Sequence, residues 1–257
     1  NSKLPMTISA LCNLANIAGN AVLIFGFHMG VAGAGLATIL SQAISALLVL
    51  YFLSRSNECY KLTVRKIRFH SDILRHIIKI GLPAGIQSSM FCISNIIIQS
   101  TINTFGTDTM AAWTAYGKID SVFWMLMSAF GISITTFSGQ NFGCGKLDRV
   151  KKSVRISLAM ALGSSMLLSA ILLLLGQYIF LLFTDDGNVL ELGVHILRTL
   201  VPFYATYVLV EVLSGAIRGT GESLRPMLIS GFGICVLRIV WITCFLGADS
   251  HLNMVLY

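Results

Sequence analysis

Seven apolar stretches, each long enough to cross a lipid bilayer, constrain this chain more than anything else in it. They run roughly from Met6 to Phe27, Val31 to Leu53, Ile80 to Ile102, Met110 to Phe137, Ile156 to Phe183, Gly193 to Gly215 and Pro226 to Gly247. A helix needs about 20 such residues to cover the hydrocarbon core. The runs lack the alternation of barrel strands, which need only about 10 residues each. Charged residues make up 11% of the chain and mean hydropathy is +0.80; soluble domains carry about 25% charged residues. A soluble fold this apolar would expose large greasy patches and aggregate. The reading is an all-α integral membrane protein, a polytopic bundle of seven transmembrane helices. A disordered chain and an ordinary soluble enzyme are excluded.

The net charge of +7 is explained by its position. The connection from the second span to the third holds Arg55, Lys61, Arg65, Lys66, Arg68, Arg75 and Lys79; that from the fourth to the fifth holds Lys146, Arg149, Lys151, Lys152 and Arg155. Arg218 and Arg225 flank the turn into the seventh span, and Lys3 precedes the first. Fifteen of the 18 basic residues therefore fall on one side, and the opposite connections carry only acids: Asp108, Asp185, Asp186, Glu191 and Asp249. Such a split places the basic side in the cytoplasm. The basic balance is then topology, and no nucleic-acid partner is expected.

Within the basic connection, Ile73, Leu74, Ile77 and Ile78 alternate with Arg75, His76 and Lys79 at helical spacing, predicting an amphipathic helix at the inner membrane surface. Pro5, Pro83 and Pro226 sit near span starts, where a missing N–H matters least. Pro202 falls inside the sixth span, where it should kink the helix and free a carbonyl near mid-membrane. The segment SKLPMTIS (residues 2–9) matches SLRPMLIS (223–230) at an offset of 221 residues, and Gly26 and Gly247 keep that offset. Parallel repeats of membrane segments are a transporter signature and argue against a seven-helix receptor. The chain opens on Asn1 and enters an apolar run at once, without a signal-peptide n-region, which reads as an internal fragment of a longer protein.

No HExxH, GxSxG, Walker loop or CxxC occurs, so no enzyme, metal centre or organic cofactor is expected. The informative residues are charges within spans: Lys118, Asp120, Arg198, Glu211 and Arg238. Each costs about 2.5–3.5 kcal/mol at the bilayer centre on insertion scales and so faces a bundle interior or a wet cavity. Asp120 and Arg238 lie at similar depth, as a structural pair or a functional one. Glu211, cytoplasmic to the Pro202 kink, fits either a proton-coupling carboxylate or a structural partner of Arg238 or of backbone. Asn16 and Asn20 share a face of the first span, with Thr38 and Ser41 on the second. Their oxygens suit Na⁺ or a wet pocket, and equally suit interhelical hydrogen bonding. Gln87, Asn95 and Gln99 fall along one side of the third span, as a cavity lining would. Met90, Phe91, Phe123, Trp124, Met125 and Met127 offer a polarizable wall or plain packing.

Four motifs then resemble those of the MATE (multidrug and toxic compound extrusion) transporters. IFGFHMGVAGAGLAT (24–38) resembles the junction of their fifth and sixth spans, and GLPAGIQSS (81–89) the start of their seventh. GQNFGCGK (139–146) resembles the turn after their eighth span, and RGTGESLRP (218–226) the turn between their tenth and eleventh. The motifs occur in order across essentially the whole chain.

The resemblance implies spans five to eleven of a twelve-helix, two-lobe fold. Residues 1–53 would end the amino-terminal lobe, 54–79 would form a cytoplasmic amphipathic linker, and 80–257 would form the carboxy-terminal lobe without its last span. It implies a monomeric, multi-pass plasma-membrane antiporter, in the inner membrane of a bacterium, exporting organic cations and other amphipathic compounds in exchange for H⁺ or Na⁺. Access would alternate from a cavity between the lobes. In many members an Asn and an Asp on span five and a Thr on span six serve ion coupling; the matching residues are Asn16, Asn20 and Thr38, so the Asp is replaced. In another branch the coupling acids lie on spans seven and ten. Phe91 stands near the first of these, Tyr207 near the second, and Glu211 is one turn from Tyr207. The expected coupling residues are thus Glu211, Asn16, Asn20, Thr38 and Asp120. The expected substrate cavity holds Gln87, Asn95, Gln99, Met90 and Tyr207. The alternative within the same superfamily is a flippase for lipid-linked oligosaccharides, which would need a basic cavity.

Overall fold

The computed structural model describes residues 3–55, 61–63, 68–237 and 240, side chains from Met6 onward. It divides into two compact units, Asn1–His70 and Ser71–Tyr257. The described residues form helices joined by short turns, with no strand among them. Among the described residues, six helical stretches are long and apolar enough to cross a membrane: Met6–Gly26, Gly30–Arg55, Ser71–Phe105, Thr107–Gly143, Leu147–Phe180 and Gly187–Gly219. A shorter apolar stretch, Leu224–Val236, covers the first half of the expected seventh span; beyond it, only Leu237 and Val240 of that span are among the described residues.

The first unit is a helical hairpin. Helix α1 (Lys3–Ala21) ends in a wider π turn (Val22–Gly26) and packs against α2 (Gly30–Arg55). The turn between them carries positive φ at His28 (52°) and Gly30 (54°). The buried face of α2 is Gly33, Ala37 and Ser41, a small residue at every fourth position, which lets backbones approach closely. A Cβ on Gly33 would lie 3.0–3.2 Å from Met29 and Leu23.

The second unit is built around α4 (Thr107–Gly143), which contacts α5 (Leu147–Phe180), α6 (Gly187–Leu200) and α7 (Tyr204–Gly219). Phe123, Met127 and Ile134 from α4 interlock with Leu172 and Phe180 from α5, Ile196 and Leu197 from α6, and Val208 and Val212 from α7. The α4–α7 seam is small and polar. Gly131, Thr135 and Gly139 face Glu211, Gly215 and Gly219, each set spaced by four. A Cβ on Gly131 would collide with Glu211 Oε1. The Thr135 hydroxyl lies 2.7 Å from the Gly131 carbonyl and 2.9 Å from that of Gly215 across the seam.

Three expectations are revised. The amphipathic stretch around Ile73–Lys79 is helical, but no break separates it from the third span: α3 runs unbroken from Ser71 to Ile102. At 32 residues it is about 48 Å long, far more than the core thickness, so its basic first turns extend past the membrane. Pro83 accordingly sits in mid-helix, not in a first turn. Lacking an N–H, it leaves the Lys79 carbonyl without its helical donor. Ser223, just before α8 (Leu224–Ser230), fills the gap: its Oγ donates to the Ile80 carbonyl at 2.9 Å and lies 3.3 Å from that of Lys79. Pro202 does interrupt the sixth span, as a 3₁₀ turn over Val201–Phe203 between α6 and α7. Third, Glu211 pairs with Arg218, a residue the sequence places in the cytoplasmic turn, two helical turns further along α7.

Candidate functional site

Asp120 lies 13 residues into α4, about 20 Å along the helix and hence well inside the membrane. Tyr116 and Trp124 flank it one turn before and after, so all three share a face. Asp120 Oδ2 accepts from Trp124 Nε1 at 2.6 Å. Its Oδ1 accepts from Tyr204 of α7 at 2.5 Å and from Tyr116 at 3.3 Å, and the two hydroxyls are 3.2 Å apart. Phe123 stacks on Tyr204 at 3.9 Å between centroids and holds that ring in place. Tyr207 meets Trp124 edge to face at 4.6 Å.

These groups line a cavity of about 400 Å³, which Asn95 and Gln99 of α3 close from the side. Its size is that of a small-molecule site. Among the described residues, Asp120 is the only charged one lining it, and no Lys or Arg forms an ion pair with it. The expected Asp120–Arg238 pair involves a residue outside those described. A carboxylate held by three donors and framed by Trp and Tyr rings suits a flat organic cation. The rings supply about 0.5–2 kcal/mol each through cation–π contact, and a charge 4 Å from the carboxylate supplies about 4 kcal/mol at an effective dielectric near 20.

Tyr207 connects this cavity to a second polar group. Its ring faces the cavity while its hydroxyl donates to Glu211 Oε2 at 3.1 Å. Glu211 Oε1 accepts from Arg218 Nη2 at 3.0 Å. Both charged side chains are about three-quarters to four-fifths buried. Gly131 provides the room for this carboxylate, and Ser128, Thr135 and Thr136 complete its surroundings.

A third cluster lies within the first unit. Asn16 Nδ2 is 3.2 Å from Ser41 Oγ and 3.4 Å from Thr38 Oγ1, and Asn20 Nδ2 donates to Asn16 Oδ1 at 3.1 Å. Asn20 Oδ1 is buried and has no hydrogen-bond partner among the described residues. The cluster offers an oxygen that a small cation or a water would satisfy.

Of the residues singled out from the sequence, Asn95, Gln99, Asp120 and Tyr207 meet at one cavity. Gln87 and Met90 do not line it: Gln87 is buried two turns lower on α3, and Met90 lies where a Cβ on Gly231 would touch its sulfur. From the suggested polarizable wall, Phe123 and Trp124 line the cavity, Met127 is core, and Met125 points outward. Sequence reasoning missed Tyr116, Tyr204 and Arg218. The Tyr116, Asp120, Trp124 spacing was the available signal for the first.

A sequence profile of the MatE family matches residues 83–243, which covers the cavity, the α4–α7 seam and the turns that follow α4 and α7. The chain belongs to the MatE family. Among curated relatives, the Bacillus subtilis (strain 168) "Probable multidrug resistance protein YpnP" is 26% identical over 245 residues, covering 95% of this chain and 55% of its own. The Thermotoga maritima "Probable multidrug resistance protein NorM" is 26% identical over 245 residues, covering 93% and 52%. Among solved structures, a MOP superfamily transporter from Pyrococcus furiosus superposes with a TM-score of 0.88 at 21% identity, covering 98% of this chain and 57% of that one. An outward-facing multidrug resistance MATE transporter gives 0.87 at 21%, covering 98% and 56%. The MatE chain described here is a multi-pass membrane protein with the MATE fold, and it spans about half the length of the relatives it matches.

Proposed function

We propose that the whole protein is a secondary active exporter of organic cations and similar amphipathic compounds, driven by inward movement of H⁺ or Na⁺. The observation that carries this reading is the Asp120 carboxylate inside an aromatic cavity with no other charge among the described residues of its walls. The names of the curated relatives, multidrug resistance proteins and exporters, support it. Their bacterial sources support a place in the bacterial cytoplasmic membrane. In this reading the protein is a monomer without an organic cofactor and is not an enzyme. Residues 1–53 belong to the amino-terminal lobe, 80–257 to the carboxy-terminal lobe, and 54–79 joins them. The coupling residues are Glu211 and Asp120, with Asn16, Asn20 and Thr38 in the amino-terminal lobe. Asn95, Gln99 and Tyr207 contact substrate, while Gln87 and Met90 support α3.

Coupling follows from the connection through Tyr207. A cation settling against Trp124 presses on the Tyr207 ring, whose hydroxyl bonds Glu211. An ion or proton reaching Glu211 competes with Arg218 and releases that hydroxyl. Only such a difference in affinity between two states lets one ligand drive another. A flippase would hold a pyrophosphate, which among the described residues lining this cavity would meet a carboxylate and no cation. The test is equilibrium binding by the whole purified protein of an ethidium-like cation and of a lipid-linked pyrophosphate sugar. The expected result is cation binding that weakens at least tenfold in Asp120→Asn, in line with losing a charge-assisted contact of about 1.5–3 kcal/mol. Binding of the pyrophosphate lipid alone would overturn the reading.

A further inference from the structure

We propose that the recess between the cytoplasmic ends of α4 and α5 binds an anionic phospholipid of the inner leaflet by its phosphate. The recess holds about 360 Å³ and is separate from the Asp120 cavity and from the Glu211 pair. Arg149, Lys152, Ser153, Ile156 and Ser157 line it from α5, and Ser133 and Phe137 from α4. The α5 residues fall at helical intervals of three and four, so they form one stripe. From Arg149 to Ser157 the stripe descends eight residues, about 12 Å, from the water surface into the membrane.

The chemistry changes along that descent as a phospholipid does. Two cations stand at the top, and neither forms an ion pair among the described residues. Ser153 and Ser133 donate to their own helices, to the Val150 and Ala129 carbonyls, leaving oxygen lone pairs toward the recess. Ser157 makes no hydrogen bond among the described residues and is free to donate. Phe137 and Ile156, both about half exposed, form an apolar wall along which an acyl chain can lie. Positive charge above an apolar wall complements a negative headgroup above its tail, and a juxtamembrane basic residue attracts an anionic leaflet over a short range. Lys146 and Lys151 belong to the same basic connection but do not line the recess, so the proposal separates a site from diffuse charge.

The experiment uses the whole protein, delipidated in detergent and titrated with fluorescent phosphatidylglycerol, with phosphatidylcholine and with inorganic phosphate as competitor. Arg149→Gln with Lys152→Gln is compared with Lys146→Gln with Lys151→Gln, which removes equal charge outside the recess. Thermal melting confirms that both fold. The site pair should lose about thirtyfold in phosphatidylglycerol affinity, the contribution of two basic residues near a headgroup, and the control pair should stay within about twofold. Ile156→Ser, which keeps every charge, should also weaken binding. Equal loss in both pairs, phosphatidylcholine binding as tightly as phosphatidylglycerol, or inorganic phosphate competing at micromolar concentration would each overturn the proposal.

Discussion

Replacing Gly219 by Ala tests the seam that positions Glu211 and Tyr207. A Cβ at Gly219 lies 2.5 Å from the Thr135 carbonyl oxygen, 2.9 Å from Ser138 Cβ and 3.1 Å from the Gly139 nitrogen. Two of these atoms are α4 backbone, so no rotamer relieves the contact. Ordinary van der Waals separation requires the helices to part by roughly 1 Å. The Thr135 to Gly215 contact of 2.9 Å would then stretch beyond hydrogen-bonding range. Overpacking costs about 1–3 kcal/mol and the lost bond about 1 kcal/mol. Alanine's better helix propensity returns about 1 kcal/mol. The net is a destabilisation of about 2 kcal/mol. With about 2–4 °C per kcal/mol for a domain of this size, the melting temperature should fall by roughly 4–8 °C. Gly163→Ala in α5 is the control, because a Cβ there meets nothing within 4 Å; it should raise the melting temperature by a few degrees. Scanning fluorimetry of the detergent-solubilised protein reads both. If the two variants melt within a degree of each other, close approach along α4 and α7 does not hold this unit together.

Three further outcomes follow from the same geometry. Ser223→Ala removes the hydroxyl shared by the Ile80 and Lys79 carbonyls at Pro83 and should destabilise by about 1 kcal/mol; an unchanged melting temperature would show that this contact does not support α3. Tyr207→Phe keeps the ring against Trp124 and removes the hydroxyl from Glu211, so cation binding should hold within about twofold while gradient-driven transport falls about tenfold. Equal loss of binding and transport would contradict the connecting role of Tyr207. Pro202→Ala restores an N–H for the Arg198 carbonyl and continues the helix through Val201–Phe203. Transport should slow with equilibrium binding unchanged, and a variant that transports at the wild-type rate would remove this turn from the moving parts.

The long helices were legible because hydrophobic length and basic side are physical requirements of crossing a membrane, and they recur in every span. The cavity was legible in part. Asp120 stands out as a charge where charge is expensive, and Asn95 and Gln99 as polar residues one turn apart. Tyr204 carries no such mark, since a tyrosine in an apolar run reads as packing until α7 brings it against α4. Arg218 reads as a surface-turn residue because its Cα lies there, but its side chain reaches back two turns to Glu211, and side-chain reach is not visible in spacing. The continuity of α3 was hidden for a related reason. A basic amphipathic segment reads as a surface helix, whereas α3 continues through Pro83, where Ser223, 144 residues away from Lys79, sets its hydroxyl beside the Lys79 and Ile80 carbonyls. The Gly131, Thr135, Gly139 and Glu211, Gly215, Gly219 spacings were present in the sequence and mark a close helix seam, but only the pairing of the two helices shows that they face each other.

The measurement that bears most directly on the account is dye movement in vesicles containing the whole protein, under an imposed pH gradient and then a Na⁺ gradient, for wild type, Asp120→Asn and Glu211→Gln. Wild type should move the cation along one of the two gradients. Asp120→Asn should lose movement together with binding, and Glu211→Gln should bind the dye but no longer respond to the gradient. A Glu211→Gln protein that still follows the gradient would contradict coupling at that carboxylate and turn attention to the Asn16, Asn20 and Thr38 cluster. Full activity in Asp120→Asn would contradict the cavity itself.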